Sequence, residues 1–253
     1  MFEDYIAVVT GAASGMGLAT ARQFIENGAI VIGVDFNRDT LTAADAELGD
    51  RFVAKLVDVS KEAQIIELAE FVEDAYGRID GLLNVAGVIK FGLPLEEITD
   101  VDFDFIYHVN LKGPMFMAKH FIPLLRKSPN ASIVNVTSTV VQQELPNHSL
   151  YSTAKSALEK FTWHLVKDYH GIRSNTILPG WTPTAMAEGA MPKEELEKMF
   201  DYMADQWIPV GRVATPDDMA NVMLFLCSEK ASYVNGATIL VDGGYTRNAS
   251  WGI

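Results

Sequence analysis

Short runs of β-branched and other apolar residues alternate with longer segments of helical periodicity along the whole chain. Seven such runs occur, at 5–10, 29–35, 52–58, 80–87, 131–138, 171–178 and 237–242. Strands buried on both faces read as near-continuous apolar runs, and the helices between them cover those faces. The sequence therefore predicts an α/β fold in which a doubly wound, seven-stranded parallel sheet carries helices on both faces.

The segments between these runs predict the helices and the extent of the domain. Helices are expected after Gly17 to about 27–28, through Leu48, at 60–76, over 101–127, from Ser149, over 192–206 and over 216–227. Ser60 suits an N-cap and Gly77 a helix stop. No linker rich in proline or glycine divides the chain, so residues 1–253 are expected to form one domain. The long connection at 179–210 is expected to be a substrate loop.

Composition limits the partners and the compartment. The net charge is −13, with 33 acidic and 20 basic residues, which would repel a phosphate backbone, so no nucleic acid partner is expected. The single cysteine, Cys227, cannot form an internal disulfide and favours a reducing compartment. The N-terminus lacks the basic start of a signal peptide, and no segment approaches the ~20 consecutive apolar residues of a membrane span. We expect a soluble, cytoplasmic protein.

A glycine-rich turn follows the first predicted strand. It reads Thr10-Gly11-Ala12-Ala13-Ser14-Gly15-Met16-Gly17 and leads directly into a helix. Glycines let a backbone approach a pyrophosphate, and the N–H groups at a helix N-terminus attract it. A turn that only joins strand and helix tightly is the alternative. Its place in a βαβ unit favours nucleotide binding and the Rossmann type of doubly wound sheet.

Two carboxylates end the next two predicted strands. Asp35 comes about twenty residues after the turn, where an acid accepts hydrogen bonds from the ribose hydroxyls of an adenosine and repels a 2′-phosphate. NAD is therefore favoured over NADP, although Asp35 could instead cap the next helix. Asp58 could accept from an adenine amino group or only end its strand.

Three residues predict proton transfer. Tyr151 and Lys155 are separated by four positions, which places them on one face of a helix. Ser138 ends the fifth predicted strand, at the carboxyl edge where such sheets bind ligands. A free phenol has a pKa of about 10, and a nearby ammonium group would lower it toward the range of a useful base.

These motifs together resemble those of the short-chain dehydrogenase/reductase family. The matching positions are Thr10-Gly11-x-x-x-Gly15-x-Gly17, Asn84-Val85-Ala86-Gly87, Asn110, Ser138, Tyr151-x-x-x-Lys155 and Pro179-Gly180. They span almost the whole chain in the family's order. Val85 departs from the usual Asn-Asn-Ala-Gly pattern.

The resemblance implies the roles of these residues. Tyr151 would be the acid/base, Lys155 would hold the nicotinamide ribose, Ser138 would bind the substrate oxygen, and Asn110 would hold a water in a proton relay with Lys155. Asn110 could instead satisfy a helix distortion. The implied NAD contacts are Gly11, Ser14, Gly15, Met16, Gly17, Asp35, Asp58, Val59, Asn84, Ala86, Gly87, Tyr151, Lys155, Pro179, Gly180, Thr182 and Thr184.

The implied activity is hydride transfer between NAD(H) and a secondary alcohol or ketone. Methionines and aromatics in the loop after Pro179 favour a bulky apolar substrate such as a hydroxysteroid, unless the helix at 192–206 simply packs them onto the body. They are Met186, Met191, Met199, Phe200, Met203 and Trp207. A polar segment at 142–148 favours a polyol, sugar or hydroxy acid instead, and His148 within it could line the substrate site or be an exposed loop residue. A 3-oxoacyl-thioester reductase and a non-catalytic NAD-binding scaffold are further alternatives.

The family also implies an assembly, a homotetramer or a homodimer. Its interfaces would involve the helices at 101–127 and 151–169, the last strand and the C-terminal tail. The five histidines lack metal-ligand spacing, so no metal is expected and a zinc alcohol dehydrogenase is disfavoured. Ser138 lies outside a Gly-x-Ser-x-Gly sequence, which disfavours a serine hydrolase.

Overall fold

A computed structural model describes residues 1–143, 145–184 and 192–248. The strands are β1 (Ile6–Thr10), β2 (Ile30–Asp35), β3 (Phe52–Leu56), β4 (Gly81–Asn84), β5 (Ala131–Val136), β6 (Ile172–Pro179) and β7 (Thr238–Val241). The helices are α1 (Gly15–Glu26), α2 (Arg38–Leu48), α3 (Glu62–Tyr76), α4 (Asp100–Tyr107), α5 (Gly113–Leu125), α6 (Ser149–Asp168), α7 (Lys193–Gln206) and α8 (Pro216–Cys227).

All seven strands form one parallel sheet in the order β3-β2-β1-β4-β5-β6-β7. The predicted doubly wound sheet is therefore confirmed. The order reverses between β1 and β4, and ligands of such sheets bind outside the carboxyl ends of the strands near that reversal. The predicted strands at 80–87 and 131–138 were too long at that end: residues 85–87 and 137–138 have left the sheet and lie at its carboxyl edge.

Each face of the sheet has its own core. Adjacent β1 residues point to opposite faces: Val9 packs in the core with Phe24 of α1 and Met223 of α8, and Val8 packs in the core with Met117 of α5. A third, smaller cluster lies apart from both. It joins α7 to the last turn of the chain and contains Leu196, Phe200, Met203, Ile208 and Tyr245.

The helix predicted over 101–127 is interrupted. Residues His108–Lys112 form a π-helical turn between α4 and α5. Asn110, fully buried within that turn, donates from Nδ2 to the carbonyls of Ile106 (2.9 Å) and Val88 (2.8 Å) and accepts from the N–H of Val88 (3.2 Å). Its amide therefore satisfies a helix distortion and ties that distortion to the segment after β4. π-Bulges of this kind are frequent at functional sites.

The C-terminal end of α3 agrees with the prediction, whereas its N-terminal end does not. Gly77 has a φ of 73° and ends the helix in the left-handed conformation, as predicted. Ser60 does not cap the start, because the helix begins at Glu62 after Lys61. The N–H of Ser60 instead donates to the Asp58 carboxylate at 2.9 Å, which makes a turn after β3.

Within the described ranges no helix is long and apolar enough to cross a bilayer. In that same part of the chain no group of three or more His, Cys, Asp or Glu side chains could hold a metal ion.

Candidate functional site

A cleft opens at the carboxyl edge of the sheet and brings together residues from five separate segments. Its lining includes Met16, Val85, Gly87, Ile89, Phe91, Val136, Thr137, Ser138, Thr139, Val140, Gln143, Leu145, His148, Tyr151, Lys155, Pro179, Gly180, Trp181, Thr182, Thr184 and Tyr245. The predicted catalytic residues Ser138, Tyr151 and Lys155 thus meet in one cleft. Met16 and Gly87 join them from the segments that follow β1 and β4.

The glycine-rich turn has the geometry that its sequence predicts. Gly11 and Gly15 adopt φ values of 68° and 50°, a region that side-chain-bearing residues rarely enter. A Cβ on Gly17 would lie only 2.0 Å from the Gly11 carbonyl oxygen, so only glycine allows α1 to approach β1 this closely. Ser14 precedes α1 without a side-chain capping bond, and the first N–H groups of the helix have no partner within the helix.

Hydrogen bonds attach this turn to the neighbouring strands. The Thr10 hydroxyl accepts from the N–H groups of Val85 (3.0 Å) and Ala86 (3.1 Å), which holds the segment after β4 against the turn. A Cβ on Gly11 would meet the backbone of Ala86 at 3.0 Å. Val85, the departure from the family pattern, therefore keeps its backbone contact and adds an apolar side chain to the cleft.

Asp35 lies beside the turn at the end of β2. Its carboxylate accepts from the N–H of Ala13 at 3.2 Å and from the N–H of Asn37 at 3.0 Å. Asn37, and not Asp35, caps α2 by accepting from the N–H groups of Asp39 and Thr40. The helix-capping alternative for Asp35 is therefore wrong, and its carboxylate marks the place where an adenosine ribose would meet the turn.

The other residues predicted to contact the adenosine are Asp58, Val59 and Asn84. The side chains of Asp58 and Asn84 already make hydrogen bonds within the protein. Asp58 makes the turn with Ser60 described above, and Val59 is buried where a Cβ on Gly113 would touch it. Asn84 is buried in the sheet, where its Nδ2 donates to Asn135 of β5 at 2.8 Å. Its side chain thus joins two strands, while its Oδ1 is buried without a hydrogen-bond partner among the described residues.

Tyr151 and Ser138 lie next to each other in the cleft. Burial raises the pKa of the Tyr151 phenol to about 12, and the neighbouring Ser138 hydroxyl acts in the opposite direction. The Ser138 hydroxyl also accepts from the N–H of Val140 at 3.4 Å. Two hydroxyl groups therefore converge on one point, where a substrate oxygen could receive both.

Lys155 lies in the cleft but does not contact the Tyr151 hydroxyl in the way that the spacing of the two residues suggests. Its Nζ is 5.7 Å from the centre of the Tyr151 ring and donates to the carbonyl of Val136 at 2.9 Å. Lys155 is only 2% exposed, and burial lowers its pKa to about 7. Our expectation that the ammonium lowers the pKa of Tyr151 is wrong for this arrangement, because burial disfavours the charged form of each group.

The segment after β6 forms the side of the cleft opposite to α6. The Trp181 carbonyl accepts from the N–H of Ala214, and the Thr182 hydroxyl donates to the carbonyl of Gly180 at 3.1 Å. A Cβ on Gly180 would meet the backbone of Asp242 at 2.7 Å, so β6 and the end of β7 pack closely here. Thr184 reaches the glycine-rich turn, because a Cβ on Gly15 would lie 3.1 Å from its side chain.

The arrangement fits a nicotinamide adenine dinucleotide. The glycine turn and the α1 N-terminus suit a pyrophosphate, Asp35 suits the adenosine ribose, and Lys155 with the 179–184 segment suits the nicotinamide end. These groups follow one another along the carboxyl edge of the sheet and end beside Ser138 and Tyr151. The site residues therefore match the cofactor class that the sequence predicts.

Several residues that line the cleft were not predicted from the sequence. Ile89 and Phe91 follow β4, and Tyr245 follows β7. Trp181 and Tyr245 pack edge to face with ring centres 6.4 Å apart. The signal was available in each case, since all of these residues come shortly after a strand at the carboxyl edge.

The helix predicted at 192–206 does not supply the cleft with its apolar side chains. Phe200 and Met203 of α7 are buried in the third cluster, with Met199 and Trp207 packed against it. The packing alternative is therefore correct for these four residues. Met186 and Met191 lie outside the described residues.

Comparisons with known proteins agree with this geometry. A family model described as "Enoyl-(Acyl carrier protein) reductase" matches residues 11–246. The chain is 36% identical to the 3-oxoacyl-[acyl-carrier-protein] reductase FabG of Thermotoga maritima over 247 residues, which are 96% of this chain and 98% of that enzyme. The chain belongs to the short-chain dehydrogenase/reductase family.

Two further comparisons extend that assignment. The meso-2,3-butanediol dehydrogenase of Serratia marcescens is 36% identical over 248 residues, 97% of this chain and 96% of the enzyme. The crystal structure of the 3-ketoacyl-(acyl-carrier-protein) reductase from Brucella melitensis complexed with NADH has a TM-score of 0.87 and 31% identity, and covers 97% of this chain and all of that one. The chain is thus an oxidoreductase of the short-chain family with the family's fold over almost its whole length.

Proposed function

We propose that the protein is an NAD(H)-dependent oxidoreductase that interconverts an uncharged secondary alcohol and its ketone. The observation that carries the proposal is that Ser138, Tyr151 and Lys155 meet in one cleft at the carboxyl edge of the sheet. A nicotinamide held in the cleft would supply the hydride chemistry at the substrate carbon. Ser138 binds the substrate oxygen, Tyr151 takes its proton during oxidation or supplies it during reduction, and Lys155 orients the cofactor ribose.

The preference for NAD rests on Asp35. Its carboxylate lies at the end of β2, held by the backbone N–H groups of Ala13 and Asn37. A 2′-phosphate would bring negative charge next to it, and the turn from Gly11 to Gly17 contains no lysine or arginine to offset that charge. The NADH complex of the Brucella melitensis relative is consistent with this choice.

The character of the cleft supports an uncharged substrate with an apolar carbon skeleton. Ile89, Phe91, Leu145, Trp181 and Tyr245 supply the walls. Among the described lining residues Lys155 is the only lysine or arginine, and this proposal gives it to the cofactor ribose. A carboxylate or phosphate on the substrate would therefore meet no partner charge.

Two substrate classes remain to be compared within this proposal. A hydroxysteroid would use the apolar walls, although the methionines and aromatics of α7 do not contribute to them. A small diol or polyol would use Gln143 and His148, and the relationship to a butanediol dehydrogenase favours it. A 3-oxoacyl thioester on an anionic carrier is disfavoured by the net charge of −13 despite the FabG relationship.

The proposal is tested by supplying purified protein with NAD and a panel of alcohols, and with NADH and the matching ketones, while following NADH absorbance. The panel contains hydroxysteroids, cyclohexanol, 2-butanol, 2,3-butanediol and sugar alcohols. Turnover of at least one secondary alcohol with NAD supports the proposal. Binding of NADH without turnover of any member, in either direction, would favour the non-catalytic scaffold instead.

A cytoplasmic location is part of the proposal. Cys227 is fully buried, and burial raises the pKa of its thiol to about 11, so it is held as an unreactive thiol. A protein with one such thiol gains nothing from an oxidising compartment.

A further inference from the structure

We propose that His148 determines substrate specificity by accepting a hydrogen bond from a hydroxyl group on the carbon next to the reacting one. The substrate class is then vicinal diols in oxidation and α-hydroxy ketones in reduction. This inference deepens the proposed function and rests on it.

His148 stands at the start of the helix that carries Tyr151. It is the residue that precedes α6, three positions before Tyr151, which is close to one helical turn of about 3.6 residues. Both side chains line the cleft. Asn147, with a φ of 58°, makes the left-handed turn that brings the chain into the helix here. Side chains separated in this way can reach oxygens on adjacent carbons of one substrate.

The hydrogen bond of the imidazole defines what it can recognise. Nδ1 lies 2.6 Å from the carbonyl oxygen of Pro146, and a carbonyl can only accept, so Nδ1 carries the proton. In the neutral ring Nε2 is then an acceptor without a hydrogen. It can take a hydrogen bond from a hydroxyl group, whereas a methyl or methylene group at the same place would leave it unsatisfied.

The neighbouring segment fixes the ring. Phe91 packs edge-on against His148, with ring centres 5.8 Å apart and planes at 78°. The loop that carries Phe91 is itself held, because Lys90 pairs with the buried Asp102 at the start of α4. The imidazole is therefore oriented from both sides before a substrate arrives.

Two hydroxyl groups of the cleft already donate to backbone carbonyls. Thr137 donates to the carbonyl of Ile177 at 3.1 Å, and Thr182 donates to the carbonyl of Gly180 at 3.1 Å. His148 thus supplies an acceptor for a second substrate oxygen close to the reacting one. A site built to bind a hydroxyl discriminates well against the analogue that lacks it, because the acceptor is then left unpaired.

The test compares 2,3-butanediol with 2-butanol, which differ by that hydroxyl, in the wild-type protein and three variants. His148→Leu removes the acceptor, and His148→Gln restores one. His170→Leu, at an exposed position beyond the end of α6, is the matched control. The dissociation constant of NADH, from cofactor fluorescence, shows for each variant whether the site is intact.

We expect His148→Leu to lower kcat/KM for the diol at least tenfold, or about 1.4 kcal/mol, mainly through KM. We expect 2-butanol to change less than threefold, NADH binding and the control to match wild type, and His148→Gln to recover part of the loss. An equal fall for both alcohols, or no change for either, would overturn the role of His148. A wild-type enzyme that oxidises 2-butanol but not the diol would overturn the substrate class, whereas one that oxidises neither would count against the proposed function itself.

Discussion

The buried phenol of Tyr151 lies next to the Ser138 hydroxyl. A single substitution tests whether Tyr151 is the acid/base. Tyr151→Phe keeps the ring that packs in the cleft and removes only the hydroxyl. Because the acid/base is lost, we expect kcat to fall by about 10²–10⁴-fold. The dissociation constant of NADH should stay within about threefold, because only the hydroxyl of one among the many implied cofactor contacts is removed. Near-normal turnover in this variant would contradict the role of Tyr151.

The preference for NAD over NADP also depends on a single residue, Asp35. At ~4 Å and an effective dielectric constant of about 20, each pair of like charges costs about 4 kcal/mol, which solvent and rearrangement reduce. We expect wild type to prefer NAD by at least about two decades in kcat/KM, near 2.7 kcal/mol.

At position 35, asparagine disturbs the structure less than serine does. Asp35 accepts from the backbone of Ala13 and Asn37, so Asp35→Ser changes the turn as well as the charge. Asp35→Asn keeps one acceptor oxygen and the volume. We expect both variants to narrow the preference at least tenfold, with Asp35→Asn keeping a melting temperature closer to wild type. Equal use of NADH and NADPH by wild type would refute the assignment.

At the scale of elements, the π-helical turn between α4 and α5 depends on one amide. Asn110→Ala would leave the N–H and carbonyl of Val88 and the carbonyl of Ile106 without this partner. Since each buried unsatisfied group costs about 1–3 kcal/mol, we expect a loss of roughly 2–4 kcal/mol in the free energy of unfolding.

The segment after β4 should then loosen against the cofactor site, so NADH should bind more weakly even at low temperature, where the variant is folded. Unchanged stability measured by denaturant titration would show that water replaces the amide. The role of Asn110 in a proton relay stays a prediction, and its side chain is already committed to these three bonds.

The elements that the sequence predicts well are those defined by continuous patterns. Apolar runs located all seven strands. β1, β4, β5 and β6 are buried along their whole length, which favours apolar residues, and the edge strands β3 and β7 are only half-buried but still apolar enough to be recognised. The single helix predicted over 101–127 was wrong because its apolar periodicity continues through the break. The break depends on a bond from Asn110 to Val88, 22 positions away, which no local pattern records.

The sequence predicted part of the candidate site. Tyr151, Lys155 and Ser138 were found because they share one helix and an adjacent strand end. The pairing of His148 with Phe91 joins segments that only the fold brings together. The electrostatics of Lys155 were missed because spacing along a helix gives proximity but not burial.

At the scale of the whole molecule, helices α4 and α6 keep apolar side chains in contact with solvent. Val101, Phe103 and Phe105 of α4 and Trp163 of α6 are between 43% and 77% exposed. Contiguous exposed apolar side chains mark association surfaces. They support the homotetramer that the family resemblance implies, which, like the single domain, stays a prediction.

We expect sedimentation velocity to give a mass four times that of the 27.8 kDa chain. Phe105→Arg should shift the distribution to smaller species, because a charge would be buried in the contact. Ile66→Arg, on the partly exposed face of α3, is the control and should leave the distribution unchanged. A monomer at all concentrations for wild type would remove the assembly from the proposal.

The burial of Lys155 lowers the free energy of unfolding below the value expected with an apolar side chain at the same position. A lysine whose pKa falls from 10.5 unfolded to about 7 folded destabilises the fold fully below pH 7, and the effect fades as the pH rises toward 10.5. Replacing it with methionine, of similar length, should therefore raise the melting temperature of the cofactor-free protein at pH 7 by at least about 2–4 °C, or ~1 kcal/mol.

That advantage should shrink between pH 7 and 9.5 in scanning calorimetry of the two proteins side by side. An advantage that stayed constant with pH would mean that packing, not charge, is responsible. We expect the methionine variant to melt at a higher temperature and to lose activity, because the proposed cofactor contact is removed. Lys155 thus lowers the stability of the cofactor-free fold while it places an amine beside Tyr151 in the cleft.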